Sequence, residues 1–455
     1  MPHPAFTSAD YSAIGVYLMT EDDWQAGGGG LSHASRTFGE QQQFTGKAGQ
    51  LVVIPDSQGQ TAEVLFGVGN AKDQLATAAL TAKLVPGAYE IRHRPETWSD
   101  EHIAAGWADG AYRFDRYKDS LSQPPVLQIS DAGALEAASV EAQAVDFLRD
   151  MVNTPAQDMG PEAIETEVRN LSAEFGAEVS VTVGQDLLDA NFPMVHAVGR
   201  AGPQPPRLIE LSWGDEGHPE LALVGKGVAF DTGGLNLKTG NYMRLMKKDM
   251  GGAAHAAALA RLVMANKLPV RLKLYIPAVE NSISGNAFRP GDILESRKGL
   301  SVEIDNTDAE GRLILGDALT LACESDPDLL IDFATLTGAA RVALGPDLAP
   351  FYTDDDALAA AIASGSAEVG DPVWRMPLWS PYRAMLNSPI ADIVNAGGPQ
   401  AGSITAAIFL KQFVDAKSWV HFDIWAWRLA KYGRPEGAAA CGLRAVFRML
   451  QTRYA

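Results

Sequence analysis

At 455 residues, 46% hydrophobic and 20% charged, the chain carries enough apolar side chain for two or three packed domains, which excludes a disordered or fibrous class. Its formal net charge of −19 argues against nucleic acid or anionic membrane surfaces as partners. Only two cysteines occur, Cys323 and Cys441, both in helix-like apolar settings, which suits buried free thiols in a reducing compartment and excludes a disulfide framework.

The first residues, Met1-Pro2-His3-Pro4-Ala5, lack the charged and apolar regions of a secretory signal. Residues 1–134 read as a smaller N-terminal α/β domain. Its predicted elements are strands at 50–54 and 62–67 and a helix at 74–84, and an exposed loop runs from Gly27 to Gly30 through the polar stretch behind it. Alanine- and acid-rich sequence predicts a long helix over 135–152. Asn153-Thr154-Pro155 ends it, because proline disfavours helix in the residue before it. Residues 135–155 are expected to link the first domain to a larger one, 156–455. In the larger domain, strands at 178–183, 207–213, 221–224, 272–278, 329–334 and 419–424 alternate with helices at 161–175, 252–264, 312–323 and 403–413. That alternation predicts an α/β fold with a mostly parallel central sheet. No apolar run reaches the length of a membrane span, and a cytoplasmic protein is expected.

The chemistry concentrates in two segments. Asn306-Thr307-Asp308-Ala309-Glu310-Gly311-Arg312-Leu313 sets two carboxylates and a guanidinium within five residues, at a predicted strand-to-helix junction. Side chains and carbonyls can converge on one point in such a turn, as hard divalent cations require. The plain alternative is a helix start, with Asp308 as the cap and Glu310 favoured by the dipole. The other segment, Gly225-Lys226-Gly227-Val228-Ala229-Phe230-Asp231-Thr232-Gly233-Gly234, follows an apolar strand, and Lys238 and Asp249 lie beyond it. Both segments place acidic groups at the carboxyl ends of strands, where open α/β sheets bind ligands. Asp231, Asp249, Asp308 and Glu310 gathered without counterions would repel, and some would protonate. Two divalent cations would balance them.

These residues, in this order and spacing, resemble the leucyl (cytosol) aminopeptidase family of metallopeptidases, M17. The octet matches the family signature residue for residue, and the likeness runs from about Asn153 to the C-terminus. The resemblance implies a di-metal peptidase domain that removes the first residue of peptides with a free N-terminus. In it, Asp231 and Glu310 bridge two cations, Asp308 ligates one, and Asp249 and Lys226 ligate the other. A lysine ligand must be neutral, and burial beside dications lowers its pKa. The resemblance further implies that Lys238 polarises the substrate carbonyl and stabilises the oxyanion. Arg312 would hold a bicarbonate, or a water network, acting as general base. Paired cations lower the pKa of a shared water towards about 7 and so supply the attacking hydroxide. Met246 and the Thr335, Leu336 and Gly338 segment correspond to the family's substrate pocket, although Met246 also reads as core packing and Thr337 as a helix cap. Manganese and magnesium suit the oxygen ligands, and zinc and cobalt suit the lysine nitrogen. A homo-hexamer of two stacked trimers is implied by the family alone.

Other readings fare worse. An ion pair of Lys226 with Asp231 is the bland account of that lysine. His421 and Asp423 lie in an apolar strand with no Gly-x-Ser-x-Gly elbow, and read as a core or subunit-interface pair. No His-Glu-x-x-His helix occurs. A nucleotide site is disfavoured because Phe230 stands where the third glycine of the dinucleotide fingerprint belongs. A non-catalytic scaffold of the same fold would have lost a metal or oxyanion residue, yet all seven are present. Asn281, the Pro290-Gly291-Asp292 turn and the Ser388–Asp392 stretch with Asn395 read as structural. One departure stands out: Trp425-Ala426-Trp427-Arg428 follows Ile424 where better-known family members carry small residues. Trp425 is expected to narrow the pocket for the first residue, and Arg428 to favour polar or acidic side chains.

Overall fold

The computed structural model describes residues 2–8, 12–27, 29–119, 123–429 and 436–455. They fall into two units, Met1–Asp146 with Leu429–Gly437, and Phe147–Arg428 with Ala438–Ala455. The helix Ala132–Asn153 contains the boundary between them.

In the first unit, six strands form one sheet in the order Phe6–Thr7, Val126–Gln128, Ala88–His93, Ile14–Thr20, Thr61–Gly69, Leu51–Pro55. Only the last pair is antiparallel. Two predictions here need correction. The predicted 74–84 helix shrinks to Thr77–Thr81, because the Asp73 carboxylate takes the Leu75 N–H at 3.2 Å in a local turn that competes with helix. The polar stretch after the glycines is not loop but the helix His33–Gln41, started by the Ser32 hydroxyl accepting from Ser35 N at 3.0 Å. Gly28 of the predicted loop lies outside the described residues.

The second unit is built on nine strands. Eight form a continuous path: Val373–Arg375, Ala349–Tyr352, Trp419–Asp423, Leu329–Ala334, Glu220–Gly225, Arg271–Asn281, Arg207–Trp213, Glu178–Val183. The middle of the path is parallel, and antiparallel pairs flank it on both sides. Leu221 to Val224 and Leu329 to Ala334 are fully buried. Continuous apolar runs of this kind mark strands covered on both faces. One cover is the helix Gly251–Ala265, which approaches so closely that a Cβ on Gly252 would lie 2.2 Å from the Phe333 carbonyl oxygen.

The glycine-rich run after Val224 is more regular than predicted. The ninth strand, Gly227–Asp231, continues along Arg271–Asn281 in the register set by Glu220–Gly225, with Val224 opposite Tyr275 and Gly227 opposite Ala278. Lys226 occupies the junction, its own N–H turned to Phe333 O at 3.0 Å on the other neighbour. An irregularity then brings Asp231 opposite Asn281. Cys441 sits ahead of the helix Leu443–Arg453, not within one, and both cysteines are free. Among the described residues no helix is long and apolar enough to cross a membrane.

Asp317, fully buried in the helix Gly311–Cys323, joins this frame together. It accepts from Met194 N and Arg297 N, both at 2.8 Å, and from Val195 N at 3.2 Å. It thereby supplies the N-terminal cap that Phe192 does not give the helix Pro193–Gly199. Replacing Asp317 by Ala strands three buried N–H groups, so the variant should lose about 1–3 kcal/mol of stability. Chemical denaturation followed by circular dichroism reads the loss, and an unchanged midpoint would contradict it.

Candidate metal centre

The parallel strands of the second unit deliver the implicated residues to their carboxyl ends. Lys226 follows Glu220–Gly225, Asp231 ends the ninth strand, Asn281 ends Arg271–Asn281, and Thr335 follows Leu329–Ala334. The octet forms the turn between the strand Ser301–Glu303 and the helix Gly311–Cys323. Asp249 stands at the end of the 3-10 segment Gly240–Met250.

Four carboxylates and two of the lysines interlock there. Lys226 Nζ lies 2.6 Å from Asp249 Oδ2 and 2.9 Å from Glu310 Oε1, and it donates to Thr335 O at 2.9 Å. Lys238 Nζ lies 2.8 Å from Asp231 Oδ2 and also pairs with Asp308 Oδ1. The bland pairing of Lys226 with Asp231 is therefore replaced by a crossed set. One carboxylate oxygen each from Asp231, Asp308 and Glu310 falls within 4.8 Å of the others. The bland account of the octet also fails. Glu310 is the residue before the helix and gives it no side-chain cap, while Asp308 turns to Lys238. At Gly311 a Cβ would meet the Lys226 Cε at 2.5 Å, so glycine there leaves room for the amine.

Neutral groups hold the charged ones in place. Asn281, fully buried, donates through Nδ2 to Asp231 Oδ1 at 2.8 Å and to Thr307 O at 3.0 Å. Thr307 exchanges two hydrogen bonds of 2.8 Å with Asn236. Asn395 receives the N–H groups of Asp305 and Asn306 and donates to Asn306 O at 2.7 Å. Its carbonyl accepts from Arg312 Nη1 at 2.7 Å. Sequence reasoning passed over Asn281 and Asn395 as structural and missed Asn236 altogether. Their carboxamides signal nothing until the fold shows what they hold.

Burial and mutual repulsion shape the protonation states. Burial, then Asp231, push Glu310 up to about 8, and the same two causes lift Asp308 to about 6. For Asp249 burial works upward, but Lys226 and Lys248 hold it down at about 2. Burial also works to depress Lys226, as the sequence led us to expect. Asp249 and Glu310 overcome it and the amine is raised instead. Lys238 is raised in the same way, chiefly by Asp231. Burial brings Arg312 down to about 10.

The remaining expected site residues divide. Asn306, Asp308, Arg312, Leu336, Thr337 and Gly338 line a cavity of about 210 Å³ that also takes in Gly397 and Gly398. Met246 is buried on the 3-10 segment and is not among that lining. Thr335 is buried too: its hydroxyl donates to Asp249 O at 2.9 Å and its carbonyl accepts from Lys226. Thr337 caps the helix Gly338–Leu344. His421 pairs with Asp332 at 2.6 Å. Asp423 accepts the N–H groups of Leu336 and Thr337 and so orders that loop. Trp425 is half-buried, with Lys248 Nζ 4.3 Å and Arg341 Cζ 4.0 Å from its ring centroid.

The donor set fits divalent cations on its own terms. Glu310 is buried, and among the described residues neither of its oxygens accepts a hydrogen bond, nor does Asp249 Oδ2. Lys226 is ion-paired to both residues, at 2.6 Å from Asp249 Oδ2 and 2.9 Å from Glu310 Oε1. One amine shared between two buried carboxylates leaves acceptor capacity that a divalent cation would complete.

A mixed α/β unit that gathers buried carboxylates and lysines beside the carboxyl ends of its parallel strands defines a candidate cation-binding centre. The comparisons with known proteins sharpen this. Residues 146–447 match the catalytic domain of the cytosol aminopeptidase family, and residues 14–128 match the M17 aminopeptidase N-terminal domain. Peptidase B of Serratia proteamaculans is 38% identical over 397 residues, 84% of this chain and 91% of its own. A crystal structure of cytosol aminopeptidase from Coxiella burnetii superposes with a TM-score of 0.93 at 42% identity, covering 99% of each chain. The bottromycin maturation enzyme BotP, in complex with Mn, gives a TM-score of 0.87 at 30% identity, covering 98% of this chain and all of its own. The chain belongs to the M17 cytosol aminopeptidase family, and it is a peptidase.

Because Glu310 and Asp308 are raised to about 8 and about 6, protons and cations should compete for them. Both carboxylates are free for a cation above pH 8, and affinity is lost as the pH falls through 8 and then 6. Mn2+ should therefore bind at least about 100-fold more weakly at pH 6 than at pH 8, and more steeply still where Lys226 releases its proton to serve as a ligand. Titration calorimetry at the two values tests this, and equal affinities would refute it.

Proposed function

We propose that the protein is an aminopeptidase that removes the N-terminal residue of peptides with two divalent cations per subunit. Lys226, Asp231, Asp249, Asp308 and Glu310 would hold the cations, with Asp231 and Glu310 shared. The observation that carries the reading is the convergence of Asp231, Asp308 and Glu310 oxygens within 4.8 Å, beside buried carboxylate oxygens that accept no hydrogen bond. Manganese or zinc are the first candidates for the ions, with magnesium and cobalt behind them.

Bound there, two cations supply Lewis acidity to a peptide carbonyl and lower the pKa of water towards neutrality. The protein's own groups do the rest. Lys238 stays protonated between Asp231 and Asp308, so it can donate to the carbonyl oxygen as negative charge develops there. Arg312 lines the cavity with its Nε unpartnered among the described residues. That leaves a donor for a bicarbonate, or for a water network, which would take the proton. Lys226 must shed its own proton to serve as a ligand, and its raised pKa means that cation binding has to displace it. Leu336 and Gly338 are proposed to contact the substrate at the cavity wall, with Met246 and Thr335 behind them. We take residues 1–134 as the N-terminal domain, 135–155 as the linker and 156–455 as the catalytic domain. A cytoplasmic homo-hexamer is the proposed working form.

The deciding experiment is hydrolysis of a chromogenic leucine amide by protein stripped with chelator and resupplied with Mn2+ or Zn2+. Activity should return with metal, vanish in Asp308→Ala, and be absent on the N-acetylated substrate. Lys238→Met should still bind metal yet lose about 10²–10³ in kcat, the scale of one oxyanion donor. Metal binding without hydrolysis of any N-terminal residue would leave the non-catalytic scaffold as the better reading.

A further inference from the structure

A buried histidine stands behind the cavity wall, and the peptidase chemistry makes no use of it. His421 lies in the middle of the strand Trp419–Asp423, opposite Asp332 of Leu329–Ala334 and opposite Tyr352 of Ala349–Tyr352. His421 and Asp332 are both fully buried. They meet at 2.6 Å through Nδ1 and Oδ1, and Trp419 Nε1 donates to Asp332 Oδ2 at 2.8 Å. The imidazole lies near-parallel to two rings, with centroids at 5.8 Å for Tyr352 and 6.3 Å for Trp419. Burial works against a charge on it, yet Asp332 outweighs burial and raises its pKa. Apolar side chains would fill this space at least as stably as a buried ion pair, so the pair calls for a use beyond packing.

That use lies along the strand. Side chains two positions apart share a face, so Asp423 follows His421 on the side away from Trp419. Asp423 is 2% exposed, and the charged groups that act on it are His421 and, from the helix Gly311–Cys323, Arg312. Burial lifts its carboxyl above the ordinary range, and His421 is the chief influence in the other direction. Asp423 in turn holds one short loop. Its Oδ1 accepts from Leu336 N at 3.1 Å and from Thr337 N at 3.0 Å, and its Oδ2 from the Thr337 hydroxyl at 2.5 Å. The same hydroxyl accepts from Ala340 N at 3.2 Å to start the helix Gly338–Leu344. Leu336, Thr337 and Gly338 form one wall of the 210 Å³ cavity that Asp308 and Arg312 also line.

We propose that His421, ion-paired to Asp332, is a positioning residue for substrate binding: its charge balances that of Asp423, and together they fix the Leu336–Thr337 wall against which the substrate lies. The proposal rests on the reading of that cavity as the place of the peptide. Hydrogen bonds to a carboxylate are roughly twice as strong as those to a neutral acceptor. Loss of the charge therefore loosens the wall, while Lys226, Asp231, Asp249, Asp308 and Glu310 keep their places. His421 itself never meets the substrate.

The test is steady-state hydrolysis of a chromogenic leucine amide at saturating Mn2+ by the full-length chain. It compares the unaltered protein with His421→Gln, Asp423→Asn and the double variant. The Gln side chain keeps a donor for Asp332 without the charge, and the Asn side chain keeps the shape of Asp423 without its charge. Each single variant should raise KM about tenfold and leave kcat within about twofold, the pattern of lost binding rather than lost chemistry. The double variant should be no worse than either single one, because both remove the same interaction. Mn2+ affinity by titration calorimetry should stay unchanged, which a general loss of structure would not allow. Circular dichroism checks folding, and His421→Phe, which keeps the ring, replaces the Gln variant if that does not fold. Unchanged KM, or single effects that multiply in the double variant, overturns the role of His421 alone. No hydrolysis of any N-terminal residue by the unaltered, Mn2+-loaded protein overturns the aminopeptidase reading, and this proposal with it.

Discussion

Burying like charges beside one another is the constraint on which the second unit depends. Asp231, Asp249 and Glu310 come together buried, with Asp308 half-buried beside them, and unpaired carboxylates at such distances would push the site apart or protonate. Lys226, Lys238 and Lys248 offset the charge of the cluster. The neutralisation is incomplete, as the raised Glu310 and Asp308 show. A site in this state has a standing demand for positive charge.

Rigid backbone is the second requirement, and the sheet supplies it. Lys226 interrupts a strand whose register carries on past it, so its position is set by ladder hydrogen bonds on both sides. The irregularity that follows brings Asp231 against Asn281, and Asn281 in turn ties Asp231 to Thr307 in the octet turn. Side chains on strand ends and well-bonded turns keep their geometry when charge changes around them. Glycine matters at two close approaches, Gly252 against Phe333 and Gly311 against Lys226. In both, a single methyl would displace a group that the cluster needs.

Kinship and departure sit side by side in this chain. BotP, at 30% identity, keeps the backbone to a TM-score of 0.87, as expected when the core and the strand ends carry the fold. The departure is at Trp425. Its ring is taken up by Lys248 and Arg341, so it has cationic neighbours before any substrate arrives.

The sequence by itself determined the fold class, the order of most elements and the identity of the charged cluster. Long apolar strands such as 329–334 and helices such as 161–175 carry a period strong enough to read without tertiary help. The octet was legible because cation chemistry demands particular side chains in close order. Weakly patterned pieces were not: the His33–Gln41 helix depends on a cap and on packing, and the Gly227–Asp231 strand on a neighbour that no local pattern reveals. Tertiary structure alone decided which lysine faces which carboxylate, that Asp332 and not Asp423 holds His421, and that Asn281 and Asn395 knit the site together. Those pairings join residues 7 to 89 positions apart. Sequence records which groups are available, but electrostatic partnership depends on distance in space, and only the folded sheet sets that distance.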